Sequence, residues 1–233
     1  MRGKMKVYTI WNHKGGTGKT SITSLLSIYL SETSRKILLI DIDSQESLTE
    51  GFLPEREEGK NSVYEWYMGK AKTKECIHPI NENLSIIPGN IWISKIQNSI
   101  NQNFFSRELK KLPYDYCFID CPPTWNNSIV SAMVSSDTVL IPSLNSVYDL
   151  KSTKFTLSEI RDVSEKLESI VIFNRMKSLS KLEKELRDPL YGNSKILSFP
   201  SYTSVNNSIK TRKIKGNLLE ALKELFGKIE GVL

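Results

Sequence analysis

The residues best suited to chemistry form one short stretch, Lys14-Gly15-Gly16-Thr17-Gly18-Lys19-Thr20. Three glycines in four positions let the backbone wrap an anion without Cβ clashes. Lys19 offers a point charge for β- and γ-phosphates, and Thr20 a hydroxyl for Mg²⁺. Gly18-Lys19-Thr20 fits the end of the general phosphate-loop pattern, but His13 stands where its first glycine belongs. Lys14, just before the glycine pair, is an additional cation. The chemistry expected is binding of ATP with Mg²⁺ by residues 14–20 together with Ser21.

Such a loop works only between a strand and a helix, which together aim backbone N–H groups and a helix N-terminus at phosphate. Both are readable. Val7, Tyr8, Ile10 and Trp11 form an apolar run before the loop; Ile22, Leu25, Leu26, Tyr29 and Leu30 recur on one helical face after it. Strands are expected at 5–11, 36–42, 84–87, 114–119, 138–141, 170–173 and 195–199. Helices are expected at 19–32, 62–78 (one or two), 91–111, 127–135, 148–166, 179–187, 204–211 and 217–230. Residues 43–61, interrupted by Gly51, Pro54 and Gly59, read as loop. Strands alternating with helices imply an α/β fold: a mostly parallel twisted sheet with helices on both faces, and ligands at the carboxyl ends of the strands. No repeat or linker is visible, so residues 1–233 read as one domain.

Acidic residues follow two of the apolar runs. Asp41 and Asp43 end the second strand, and Asp120 ends the run at 114–119, before Cys121-Pro122-Pro123. Both strand ends lie where a sheet of this kind binds its ligand. Asp41 is open to two readings, a member of the magnesium shell or a carboxylate capping a turn.

The chain has 233 residues, 39% hydrophobic and 25% charged, with a formal charge of +6. That balance fits either a mildly basic enzyme or a surface that meets a polyanion. The three cysteines, Cys76, Cys117 and Cys121, are too few for a disulfide framework and read as buried thiols in a reducing cytosol. Residues 1–5 lack a following apolar run and a small-residue cleavage site, so no secretory leader is expected. No apolar run approaches a membrane span.

With these motifs in view the chain resembles the ParA/MinD family of deviant Walker A ATPases, most closely the small ParA-type partition ATPases. The resemblance rests on Lys14–Thr20, on Ile40-Asp41-Ile42-Asp43-Ser44-Gln45, on Phe118-Ile119-Asp120-Cys121-Pro122-Pro123 and on Asp137-Thr138-Val139-Leu140-Ile141-Pro142. It implies that Lys14 crosses a dimer interface to the partner's nucleotide, much as an arginine finger does. It implies that Lys19 and Asp43 join Lys14 in catalysis. Asp43 would orient the attacking water and stand with Thr20 and Asp120 around the metal. It places Asn174-Arg175 at the adenine edge and Pro200 against the ring face. Two departures stand out. Ser44 replaces the family's usual proline, and Thr124-Trp125-Asn126-Asn127 is bulkier than the family's segment.

Between 189 and 219 there is no Asp or Glu, and Lys210, Arg212, Lys213 and Lys215 cluster within six positions. This is the footprint of phosphate-backbone contact, which the resemblance turns into nonspecific DNA binding. The implied function is a cytoplasmic, nucleoid-associated partition ATPase. It dimerises on ATP, coats DNA and is released when a ParB-like centromere-binding protein stimulates hydrolysis. The alternative is a MinD-like membrane-associated positioning ATPase. Glu220, Glu224 and Glu230 outnumber Lys223 and Lys228 on the last helix, which favours packing on the domain over lipid. A metabolic phosphate-loop enzyme or an iron-sulfur reductase relative is a third possibility. Cys117, inside a strand, suits the latter poorly.

Overall fold

The computed structural model describes residues 4–56, 60–144, 146–176 and 195–232. The strands are β1 (Lys6–Ile10), β2 (Ile37–Asp41), β3 (His78–Pro79), β4 (Leu84–Ile87), β5 (Tyr116–Asp120), β6 (Thr138–Ser143), β7 (Glu168–Met176) and β8 (Lys195–Pro200). The helices are α1 (Lys19–Glu32), α2 (Ser47–Phe52), α3 (Val63–Tyr67), α4 (Ile93–Ile96), α5 (Phe104–Glu108), α6 (Asn127–Ser135), α7 (Val147–Val163), α8 (Val205–Thr211) and α9 (Asn217–Glu230). The strands form one sheet in the order β3-β4-β2-β5-β1-β6-β7-β8. Every pairing is parallel except β3 with β4.

Alternation along the strands divides the core into two layers. Val7, Leu38, Ile40, Cys117, Ile119, Val139, Ile141 and Val171 pack with Trp66, Phe105, Ile129 and Leu157 from α3, α5, α6 and α7. Tyr8, Ile10, Ile37, Leu39, Phe118, Leu140 and Ile170 pack with Ile22, Leu26, Leu222 and Phe226 from α1 and α9. The central strands are thus apolar on both faces, as the unbroken runs imply.

Leu218, Leu222, Leu225, Phe226 and Ile229 of α9 are buried, each burial contributing roughly 1.5–3 kcal/mol. At the helix end Glu230 accepts hydrogen bonds from Lys6 Nζ at 3.0 Å and from the Tyr8 hydroxyl. The apolar face of α9 is therefore spent on the sheet. Among the described residues no helix is long and apolar enough to cross a membrane.

Several elements differ from expectation. The stretch 43–61 is not all loop, because Leu48 and Phe52 of α2, four residues apart, are both buried. The helical stretch expected over 91–111 is broken into α4, α5 and a 3₁₀ turn at Leu109–Lys111. Between α4 and α5 Asn101 Oδ1 accepts from Asn103 N at 2.8 Å, a local turn that competes with helix. Three supposed strand-end residues lie inside strands: Pro142 in β6, and Asn174 and Arg175 in β7. Pro200 is the last residue of β8 rather than the one that follows it. Pro142 is tolerated because its imide side faces β1 beyond that strand's last paired residue. There the Asn12 side chain donates to the Pro142 carbonyl at 2.8 Å. The helix expected at 179–187 lies outside the described residues.

Candidate functional site

The loop between β1 and α1 rises at the carboxyl edge of the sheet. Gly16 and Gly18 have φ of 74° and 95°, values that only glycine adopts cheaply. Gly15 and Gly16 are exposed at its crest, while Thr17 is buried. Gly18 has a second constraint: a Cβ there would lie 2.0 Å from Asn174 Nδ2. That amide donates to the Thr17 carbonyl at 3.0 Å, so β7 braces the loop from behind.

Lys19 is 7% exposed and folds back under the loop, donating to the carbonyls of Asn12 at 3.4 Å and Lys14 at 3.2 Å. Burial lowers its pKa, opposed by the nearby carboxylates of Asp120 and Asp43. Thr20 donates to Asp120 Oδ2 at 2.7 Å, and Thr23, one turn on, reaches Oδ1 at 3.3 Å. Hydroxyl, carboxylate and ammonium thus meet at the head of α1.

Asp41 and Asp120 are Cα partners on adjacent strands. Burial raises the Asp120 pKa to about 8, the Asp41 carboxylate adding to the rise and Thr20 and Lys19 opposing it. Burial likewise raises Asp41 to about 6. Asp120 and Asp43 both act on the buried Lys19 ammonium, and Asp41 lies behind them. The excess negative charge and the Thr20 hydroxyl suit a hard cation with oxygen ligands. Among the described residues no three acidic, histidine or cysteine side chains converge as a ready-made cage. Mg²⁺ needs none, taking one or two carboxylates plus waters and phosphate oxygens. Asp43 is half-buried; its backbone N–H donates to Asp41 Oδ1 at 3.0 Å, and its own Oδ1 accepts from Gln45 N at 3.0 Å.

Ser21 lines a cavity of about 220 Å³ with Ile22, Asn174, Pro200, Tyr202 and Asn206. It opens beside the phosphate loop and has the mixed ring, proline and amide lining that a base would use. The Arg175 side chain lies outside the described ones.

Lys14 leaves its own loop. Its ammonium pairs with Asp149, the third residue of α7, whose side chain is 4% exposed. Asp149 also accepts from Ser146 in a capping box. His13, in place of the usual glycine, turns its ring outward between Trp11 and Phe155, with centroids 5.0 and 4.9 Å away, and pairs with Glu159. Trp125 packs against Trp11 with centroids 5.2 Å apart and the ring planes tilted by 55°. Asp149, Glu159, Thr49 and Thr23 were not singled out from the sequence. Only Ser146-Val-Tyr-Asp149 carried a signal, as a capping box.

Lys210, Lys213 and Lys215 are exposed at the end of α8 and the turn into α9. Arg212 differs from them. It closes α8 at φ 54°, donates to the Phe52 carbonyl at 2.7 Å and lies over the Phe52 ring. Cys76, Cys117 and Cys121 are free and buried.

A family profile described as an AAA domain matches residues 5–173. The chain is 32% identical over 171 residues to a ParA family protein of Chlamydia pneumoniae, covering 69% of this chain and 67% of the relative. It spans 65% of the length of two Pseudomonas putida relatives that it also matches. Its fold is similar to that of a plasmid partition protein from Borrelia burgdorferi, with TM-score 0.80, 26% identity and coverage of 97% and 100%. It is similar too to Cyanothece McdA in an ATP complex, with TM-score 0.83, 24% identity and coverage of 97% of each chain. Phosphate loop, aspartate pair, sheet order and these likenesses agree, and the chain belongs to the ParA/MinD family of deviant Walker A ATPases.

Proposed function

We propose that this protein is a partition ATPase that binds ATP with Mg²⁺, dimerises around it, holds DNA nonspecifically and lets go on hydrolysis. The observation that carries the reading is the division of labour between two lysines. Lys19 fills the chain's own phosphate cradle. Lys14 stands outside that cradle on Asp149, with 39% of its side chain exposed. A lysine so placed adds nothing to its own site and would complete a second one by exchanging Asp149 for the partner's nucleotide.

In the nucleotide-bound chain, the amides of residues 15–20 and the Lys19 ammonium hold the β- and γ-phosphates. Thr20 and Asp120 would hold the metal, which would supply positive charge against the transferring phosphoryl group. Asp43 accepts a hydrogen bond from the attacking water and aligns it with the γ-phosphorus. The partner's Lys14 adds positive charge where it develops in the transition state. Asn174, Arg175 and Pro200 frame the base beside Ser21. The Asn174 amide, one N–H of which donates to Thr17, carries both a donor and an acceptor, as an adenine edge requires. Lys210, Lys213 and Lys215 present the DNA-facing charge. A ParB-like partner stimulates hydrolysis, and the protein cycles on and off the nucleoid.

The decisive experiment is a DNA mobility shift with ATP, ADP or no nucleotide, on the wild type and Lys14→Ala. Retardation that needs ATP and is lost in the variant supports the reading. Equal retardation of both proteins removes the dimer mechanism. Lipid sedimentation without DNA retardation would favour a membrane role instead.

A further inference from the structure

The two aspartates side by side at the strand ends do different work. Asp120 turns toward α1 and the hydroxyls of Thr20 and Thr23. Asp41 turns away, toward the loop and helix that follow β2. It is wholly buried, and both its oxygens are engaged. Oδ1 accepts from the Asp43 backbone N–H at 3.0 Å. Oδ2 accepts from the Thr49 backbone N–H at 2.9 Å and the Thr49 hydroxyl at 2.7 Å. That hydroxyl in turn accepts from Gly89 N at 2.7 Å. Gly89 is close-packed here: a Cβ on it would lie 3.1 Å from the Asp41 carboxyl carbon and 3.2 Å from the Asp43 carbonyl oxygen.

The result is a buried chain of hydrogen bonds, Gly89–Thr49–Asp41–Asp43. It ties the end of β4 and the first turn of α2 to the residue expected to align water. Within the segment it fixes, 42–46, Ile42 is packed in the core and its N–H donates to the Asp120 carbonyl, Gln45 N donates to Asp43 Oδ1, Glu46 N to the Asp43 carbonyl and Glu50 N to the Glu46 carbonyl. Fixing a water-aligning carboxylate matters because small misplacement of a reacting geometry is expensive in rate.

We infer that Asp41 is a positioning residue, not a magnesium ligand, and that with Thr49 and Gly89 it forms a strut holding Asp43 in place. This rests on the ATPase reading above, but the strut is a property of the nucleotide-free chain and can be tested there.

The test uses the full chain with Thr49→Val, Thr49→Ser and Gly89→Ala. The first removes the hydroxyl, the second keeps it, and the third pushes on Asp41 and Asp43 with the hydroxyl in place. Hydrogen exchange of amides 42–46 in nucleotide-free protein should quicken about tenfold or more in Thr49→Val and Gly89→Ala, and stay near wild type in Thr49→Ser. Steady-state kinetics should show kcat lowered about ten- to hundredfold in the same two variants. The KM for ATP and the Mg²⁺ concentration for half-maximal rate should stay within about twofold, since neither variant touches Lys19, Thr20 or Asp120. Two results overturn the inference: unchanged exchange at 42–46 in both variants, or a raised Mg²⁺ requirement with kcat restored at saturating Mg²⁺. The second would put Asp41 in the metal shell. Failure of the wild type to hydrolyse ATP would sink the ATPase reading itself, while the exchange data would still decide the strut.

Discussion

Lys14 and Asp149 form an ion pair within the chain, linking the phosphate loop to the first turn of α7. The aspartate is nearly buried and already serves the helix cap, so the pair holds Lys14 in a defined direction. In the proposed dimer the same lysine must reach the partner's nucleotide, and the contact within the chain competes with the contact between chains. Asp149→Asn keeps the side-chain volume and removes the charge that holds Lys14. It should dimerise at lower ATP concentration than the wild type, whereas Lys14→Ala should stay monomeric. Light scattering on a sizing column with ATP distinguishes them. Loss of the dimer in Asp149→Asn would place Asp149 in the joined state rather than the separate one.

Gly18 is fixed by backbone and by space at once. Its φ of 95° costs any other residue about 1–2 kcal/mol. An added methyl would also displace the Asn174 amide that braces Thr17. Gly18→Ala should weaken binding of a fluorescent ATP analogue at least tenfold. Asn174→Ala removes the brace without strain and should weaken it less. Equal loss in both variants would mean that the Asn174 side chain, as brace and as base contact, matters to the nucleotide as much as the turn does.

The phosphate loop, its flanking strand and helix, and the helices α1, α6 and α9 were legible in the sequence. Each combines a clear apolar period with an abrupt stop. What was not legible depends on distant partners. α2 sits in a polar stretch with Gly51 inside it and persists because Leu48 and Phe52 are buried and Thr49 is bound to Asp41. Asn174 and Arg175 read as a strand end because the apolar run stops at Phe173, yet the ladder with β8 continues past them. Asp149 is an ordinary capping residue in sequence; only the fold brings Lys14 to it across 135 positions. The same holds for His13, whose replacement of glycine is harmless because its ring turns out toward α7.

The cysteines offer a test of packing that needs no nucleotide. Burial and the nearby acids Glu65 and Glu75 raise the Cys76 thiol pKa to about 11, and burial raises Cys117 and Cys121 as well. At pH 8 almost none of the three is thiolate, the form that reacts. Ellman's reagent should therefore titrate no thiol in the native protein within minutes, and all three after denaturation. Rapid reaction of one thiol in the native state would show that its layer of the core opens locally.

Three exposed lysines and one arginine share a short stretch of sequence, but only the arginine is tied to Phe52. If Lys210, Lys213 and Lys215 each neutralise one phosphate, replacing all three by alanine should weaken DNA binding in ATP. It should also reduce the slope of log K against log salt by about 2.7 per protomer, or about 5.4 for the dimer, at about 0.9 per contact. Arg212 instead ties the end of α8 to the end of α2 through the Phe52 carbonyl. Arg212→Ala leaves that carbonyl without its charged donor and should cost about 1–3 kcal/mol of stability, read as a lower urea midpoint. Its salt slope, measured where it is folded, should stay near that of the wild type. A slope change in Arg212→Ala as large as one lysine's share would put its guanidinium on DNA as well.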